Sequence, residues 1–197
     1  MKKWILFSVL VGSLFFHGPA LALDFDFSGN LTYHNDVLYF NFVAPEAGNV
    51  TLFSSSWDDG GFDPMLGLWT STGNLIYFQD DGGNYGTTLS NNVPYTYGTW
   101  DSYYTVSLNP GAYTITLTTF PNFNNSTLLS DGFRFDDEIP IAFQSWSGYY
   151  DSYVFHVLNV PSATQVQDVN VVPEPGTFLL VGAGFGFIAL LRKKRVV

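Results

Sequence analysis

Asp58, Asp59, Asp63, Asp80 and Asp81 stand at the two ends of a short apolar stretch, WDDGGFDPMLGLWTSTGNLIYFQDDGG, running from Trp57 to Gly83. Met65–Thr70 and Leu75–Gln79 read as two strands with Ser71-Thr72-Gly73-Asn74 as the turn between them, a hairpin pattern. Folding at that turn sets residue 63 roughly opposite residue 80 and gathers the five carboxylates at the base of one hairpin. Two carboxylates about 4 Å apart repel by roughly 4 kcal/mol at a surface-like effective dielectric near 20. Such a group must splay into water, take up protons, or share a cation. Calcium accepts about six to eight hard oxygen ligands in flexible geometry, and glycine-bearing loops let backbone carbonyls turn toward an ion. Asp63, Asp80 and Asp81 lead as ligands, with Asp58 and Asp59 beside them. Asp-Gly pairs are also ordinary turn formers, so two solvated β-turns are the competing reading. The spacing is not that of an EF-hand.

Two loops carry a second pattern, aromatic residues beside aspartate: Tyr97–Tyr104, with Trp100 and Asp101, and Trp146–Tyr153, with Asp151. An exposed indole next to a carboxylate suits a sugar ring, which makes Trp100 and Trp146 candidate carbohydrate contacts. Core packing is the competing role. Catalysis has the least support. The body contains no cysteine and no lysine, which removes thiol nucleophiles and Schiff bases. A serine–His156–aspartate triad is arithmetically possible, yet no G-x-S-x-G elbow occurs. His34 and His156 lack spaced metal-binding partners. The expectation is a protein that is not an enzyme.

These groups must be positioned by strands. Asp24–Ser28, Asp36–Val43, Val50–Ser54, the hairpin pair, Ser102–Leu108, Ala112–Phe120 and Tyr150–Val160 alternate in side-chain character with period two. Ser102–Leu108 and Ala112–Phe120 read as the clearest pair, joined by Asn109-Pro110-Gly111, with Thr114, Thr116 and Thr118 on a wet face. Residues 82–99 read as a long loop, 121–147 as a polar insertion with a short strand at Ile141–Phe143, and 161–172 as a spacer. No helical crossovers are present, so the fold expected is all-β, an antiparallel β-sandwich of jelly-roll type over residues 23–160.

Composition narrows the partners. Nearly all of the 17 acidic residues lie between the two ends of the chain, and Arg134 is the single basic residue there, so this body is more acidic than the whole-chain net charge of −10. Such a surface repels nucleic acid and anionic lipid and attracts cations. With no cysteine in the chain, the domain holds together by packing, with or without a metal.

The ends carry targeting signals. Residues 1–22 have a basic start (Lys2, Lys3), an apolar core (Trp4–Phe16) and the small-residue site Ala20-Leu21-Ala22, the three parts of an export signal peptide. At the other end Pro173, Glu174 and Pro175 precede an apolar run, Thr177–Leu191, and the basic tail Arg192, Lys193, Lys194, Arg195. Fifteen helical residues span about 22 Å, short of a roughly 30 Å hydrocarbon core; snorkelling arginines and local thinning cover the difference. The basic tail predicts a cytoplasmic end and a body outside the inner membrane.

The order V-P-E-P, apolar helix, basic cluster over residues 172–197 resembles the PEP-CTERM sorting signal of Gram-negative bacteria. The resemblance implies processing by exosortase, a transient inner-membrane anchor, and a final place at the cell surface or in an extracellular matrix of biofilm type. The runs D-V-L-Y-F-N-F (36–42), F-D-P-M-L-G-L-W (62–69), G-N-L-I-Y-F-Q-D-D-G-G (73–83), N-P-G-A-Y-T-I-T-L (109–117), L-L-S-D-G-F (128–133) and Y-V-F-H-V-L-N-V (153–160) make the body similar to an uncharacterised domain family of PEP-CTERM proteins, itself similar to bacterial pre-peptidase C-terminal domains. That resemblance implies a jelly-roll accessory domain with calcium near the D-D-G-G loop. The resulting expectation is an exported, non-catalytic surface or exopolysaccharide-matrix protein. The alternative is a carbohydrate-binding module with a structural calcium ion.

Overall fold

The alternating strands fold into two facing antiparallel sheets in the computed structural model, which describes residues 22–57, 62–146 and 150–166. Eleven strands form among them: β1 (Leu23–Asn30), β2 (Leu38–Ala44), β3 (Gly48–Ser54), β4 (Pro64–Thr70), β5 (Leu75–Gln79), β6 (Gly86–Ser90), β7 (Val93–Tyr97), β8 (Tyr103–Leu108), β9 (Gly111–Thr119), β10 (Ser152–Val160) and β11 (Ser162–Val166). One sheet has the order β1-β10-β3-β8 and the other β11-β2-β9-β4-β5. With the β6–β7 hairpin and β11 set aside, eight strands remain. Counted in chain order they run first-eighth-third-sixth in one sheet and second-seventh-fourth-fifth in the other. This is the jelly-roll order. The expected all-β sandwich is therefore the fold.

Period-two alternation explains the core. Phe40 and Phe42 of β2, Leu52 of β3, Leu66 and Leu68 of β4, Ile115 and Leu117 of β9, and Phe155 and Val157 of β10 all face the space between the sheets and are essentially inaccessible. Phe27, Phe40 and Phe155 pack ring against ring at its centre, with Phe40–Phe155 centroids 4.8 Å apart. Each such side chain contributes about 1.5–3 kcal/mol on burial.

Several local expectations change. Ser102–Leu108 and Ala112–Phe120 do not pair: β8 joins β3, whereas β9 lies between β2 and β4 in the other sheet. Asn109-Pro110 therefore carries the chain across the sandwich rather than around a hairpin, and the turn Pro45–Ala47 between β2 and β3 does the same. Alternation tells which face of a strand is apolar but not which sheet that face belongs to.

The supposed loop 82–99 contains the β6–β7 hairpin, whose turn residues Asn91 and Asn92 take the left-handed conformation (φ 46° and 64°). Tyr95 and Tyr97 from β7 pack their rings against Phe53, on the outer side of the first sheet. The supposed spacer 161–172 begins with β11, which pairs with β2 from Ser162↔Val43 to Val166↔Tyr39. The domain thus extends past Val160. Ile141–Phe143 is not a strand; Phe143–Trp146 forms a single helical turn, α1, with Phe143 buried.

The threonine face of β9 is not wet. Thr116 and Thr118 are buried; Thr116 Oγ1 accepts the Trp69 indole N–H at 2.9 Å, and the Thr118 hydroxyl donates to the Asn122 carbonyl at 3.0 Å. The segment following β9 folds over this face, and Phe133 packs with Val37 and Trp69 in a second apolar cluster. Gly67 makes room for the indole: a Cβ there would lie 2.8 Å from Trp69 Nε1.

Candidate metal centre

The β4–β5 hairpin forms as its sequence predicts, with Gly73 in the left-handed conformation (φ 79°) at the turn. Its register, Leu66↔Gln79, differs from the expected one by two residues, with an irregularity between Leu68 and Trp69. Asp63 just before β4 and Asp80-Asp81 just after β5 nevertheless meet. One carboxylate oxygen from each of the three lies within 4.8 Å of the others.

The loop bearing Asp80 and Asp81 is fixed by its neighbours. The Ser102 hydroxyl lies between the carbonyls of Pro64 (2.8 Å) and Asp80. Gln79 Oε1 accepts the Tyr103 N–H at 2.8 Å, and Gly82 N–H donates to the Asp101 carbonyl at 2.7 Å. A Cβ on Gly82 would stand 2.7 Å from that carbonyl, so the close approach requires glycine. The Phe120 N–H donates to the Asp63 carbonyl at 2.9 Å, fixing the other side. The acidic trio thus rests on rigid strand ends.

Its electrostatics are those of acceptors without donors. Oδ1 of Asp63 and Oδ1 of Asp80 are buried and have no hydrogen-bond partner among the described residues. Burial, then the charges of Asp80, Asp81 and Asp101, push the Asp63 carboxyl up to about 7. Burial and the Asp81 charge push Asp80 up to about 6, and burial raises Asp81. Three hard oxygens within 4.8 Å of one another are of the ligand type and spacing accepted by calcium, whose opposite ligands sit up to about 5 Å apart. The trio would fill three of its positions and leave the rest to water or carbonyl oxygen.

Asp101, one turn of loop away, is a contrasting carboxylate. It is 1% exposed. Its Oδ1 accepts the Ser54 hydroxyl (2.8 Å) and the N–H groups of Ser56 (2.9 Å) and Trp57 (3.3 Å), while Oδ2 accepts the Gly98 N–H at 2.8 Å. In the sequence Asp101 stands out only as a neighbour of Trp100, and its joining of two loops leaves no local mark. Its partners lie 45 and 47 residues away, beyond any local signal, although the bond to Gly98 N–H three residues earlier is one that turn chemistry allows.

The two aromatic candidates separate. Trp100 is 48% exposed, with its ring 6.0 Å from that of Trp57. Trp146 is half-buried, against His34, Phe135 and Phe143, and belongs to the wall of the fold. Asp58 and Asp59 lie outside the described residues. So do residues 1–21 of the expected signal peptide, Pro173, Glu174, Pro175, the 177–191 segment and the tail Arg192, Lys193, Lys194 and Arg195. No helix among the described residues is long and apolar enough to cross a membrane.

Comparison with known proteins adds one firm result. No curated protein matches the chain. Residues 171–195 match the model of the PEP-CTERM protein-sorting motif, the segment in which the Pro-Glu-Pro sequence, apolar run and basic tail occur in order. The chain therefore carries the PEP-CTERM sorting motif of an exported protein directed to an exosortase.

Proposed function

We propose that this is an exported jelly-roll domain of the cell surface or exopolysaccharide matrix, released from its membrane anchor by exosortase and clamped by a calcium ion on Asp63, Asp80 and Asp81. The observation that carries the metal reading is the convergence of three carboxylates, two with buried and unpartnered oxygens. A cation replaces their mutual repulsion with attraction and ties β4, β5 and the following loop together, a role that suits a chain with no cysteine. In this reading the ion is structural. The test is the melting temperature of the full chain in EGTA and in calcium, which should differ for the native protein and coincide for Asp80→Asn/Asp81→Asn. Equal melting of the native protein in both buffers overturns the clamp. Processing is checked by mass spectrometry: mature protein should lack residues 177–197, and an intact tail refutes it.

A second reading, carbohydrate binding, is favoured by the Trp57–Trp100 pair. Trp100 precedes Asp101, whose carbonyl holds Gly82 next to the acidic trio, so a bound ion would order the loop presenting the indole. Binding to extracellular polysaccharide that disappears in Trp100→Ala while the fold persists supports this reading. Retention of binding in that variant counts against it. Trp146→Ala should instead act through stability, because its ring is packed among three others.

A further inference from the structure

The outer face of the first sheet brings together three groups from distant parts of the chain. Ser55, directly after β3, has its Oγ 2.8 Å from Nε2 of His156 on β10. Nδ1 of His156 lies 2.6 Å from Oδ1 of Asp26 on β1. The Asp26 carboxylate accepts the Nδ1 proton and thereby leaves Nε2 free to accept from the serine hydroxyl. This is the relation of nucleophile, base and orienting acid.

The surroundings hold the imidazole in place. Its ring stacks on Phe53 at 4.3 Å, and Tyr95 of the β6–β7 hairpin meets it edge-on at 5.3 Å. Asp24 anchors that hairpin by accepting the Ser90 hydroxyl at 2.8 Å. His156 is buried, Ser55 is partly exposed and the Asp26 side chain is 59% exposed. The ring is thus fixed while Ser55 keeps part of its surface open to solvent.

We propose that Ser55 is a nucleophile activated by His156 and positioned by Asp26, and that this site cleaves small neutral O-acyl esters. The inference goes beyond the metal clamp and uses none of its ligands. In the first half, the Ser55 Oγ–acyl bond forms and the ester C–O bond breaks. The hydroxyl proton passes to Nε2 and then to the departing alcohol. In the second half, water attacks the acyl carbon, gives its proton to Nε2, and releases the carboxylic acid as Oγ recovers the proton. Ester and water become acid and alcohol.

Two observations select this substrate class. The N–H of Ser55 is bonded to the Val154 carbonyl, and those of Ser56 and Trp57 to the Asp101 carboxylate. These neighbouring donors are committed, so the site favours an ester with a good leaving group over an amide, which depends more on oxyanion stabilisation. Asp24 and Asp26 stand beside the site and repel anionic esters.

The test uses the full-length chain and a fluorophosphonate probe, which forms a P–O bond at an activated serine as fluoride leaves, together with p-nitrophenyl acetate turnover. Native protein should gain one adduct, mapped to Ser55, and release p-nitrophenolate. Ser55→Ala should lose both. His156→Gln should react at least about 100-fold more slowly, the usual size of general-base assistance. Labelling of native protein should rise as His156 loses its proton. Burial lowers that pKa against the opposing influence of Asp26 and Asp101; Tyr95 also meets the ring, and its hydroxyl donates to Asp24. Asp26→Asn should lower the plateau and move the midpoint to lower pH, a change that a merely structural aspartate would not produce. A native chain with no adduct at Ser55 overturns the proposal whatever the variants do. So does labelling of Ser55 that proceeds equally in a folded His156→Gln protein.

Discussion

Asp101 and the Asp63–Asp80–Asp81 trio lie side by side, and both put carboxylates under cover. Asp101 is almost wholly inaccessible and has four donors, three of them backbone N–H groups. The trio is only partly buried, yet two of its oxygens have no donor and each carboxyl is shifted upward. Depth of burial alone therefore does not tell whether a carboxylate has its hydrogen-bond partners. Four donors occupy the Asp101 oxygens, whereas the trio sets acceptors against acceptors and is eased by protons or a cation.

Several experiments would break or sharpen that contrast. The largest effect belongs to Asp101→Ala, which leaves buried N–H groups unpaired and unties the loops at Ser54–Trp57 and Gly98–Ser102; chemical denaturation should show a loss of about 3 kcal/mol or more. Calcium at a hundredfold excess over its Kd should add about 2.7 kcal/mol, seen as a rise of roughly 5–10 °C in melting temperature for a domain of this size. On the proposed clamp, Asp101→Ala should retain a calcium response if it stays folded, because Asp101 is not among the proposed ligands.

Asp63→Asn separates the two sites further. In EGTA at neutral pH it should melt a few degrees above the native protein, since one of three repelling charges is gone, and its calcium response should be abolished. A lower melting temperature in EGTA would mean that Asp63 is not under electrostatic stress. The pH dependence follows from the upward shifts. A carboxyl that holds its proton more tightly when folded gives stability that is complete below its unfolded value of 3.8 and is lost as pH rises through the folded value. Metal-free protein should therefore lose stability between about pH 4 and pH 7. Calcium should restore stability at pH 7.5 and do little at pH 5, where Asp63 and Asp80 retain most of their protons. The smallest effect is that of Trp100→Ala. Its ring is half exposed, so the melting temperature should move by no more than about 2 °C while any polysaccharide binding is lost.

Much of the fold and of the trio was legible because the signals are local. Alternation in Leu38–Val43, Met65–Thr70 and Tyr153–Val160 marked strands, and the turn Ser71–Asn74 placed Asp63 close to Asp80 and Asp81 despite the register error. The β6–β7 hairpin was hidden because Asn91 and Asn92, residues that tolerate the left-handed conformation, lie among glycines and polar residues typical of loops. β11 was hidden because its sequence, Ser-Ala-Thr-Gln-Val, has only a weak apolar pattern and owes its state to the open edge of β2.

By itself the sequence determined the chemistry of each local stretch: strands by period two, one hairpin by its turn, the acidic trio by that hairpin, and the sorting motif by composition and order near the C-terminus. Tertiary structure alone decided which sheet each strand joined, that the threonine face of β9 is dry, that Asp101 is ringed by four donors, and that Ser55 meets His156. The partners in that last constellation are 101 and 130 residues apart. Side-chain alternation reports the environment of one strand at a time, whereas pairing across the jelly roll depends on how all eight strands close around a common core.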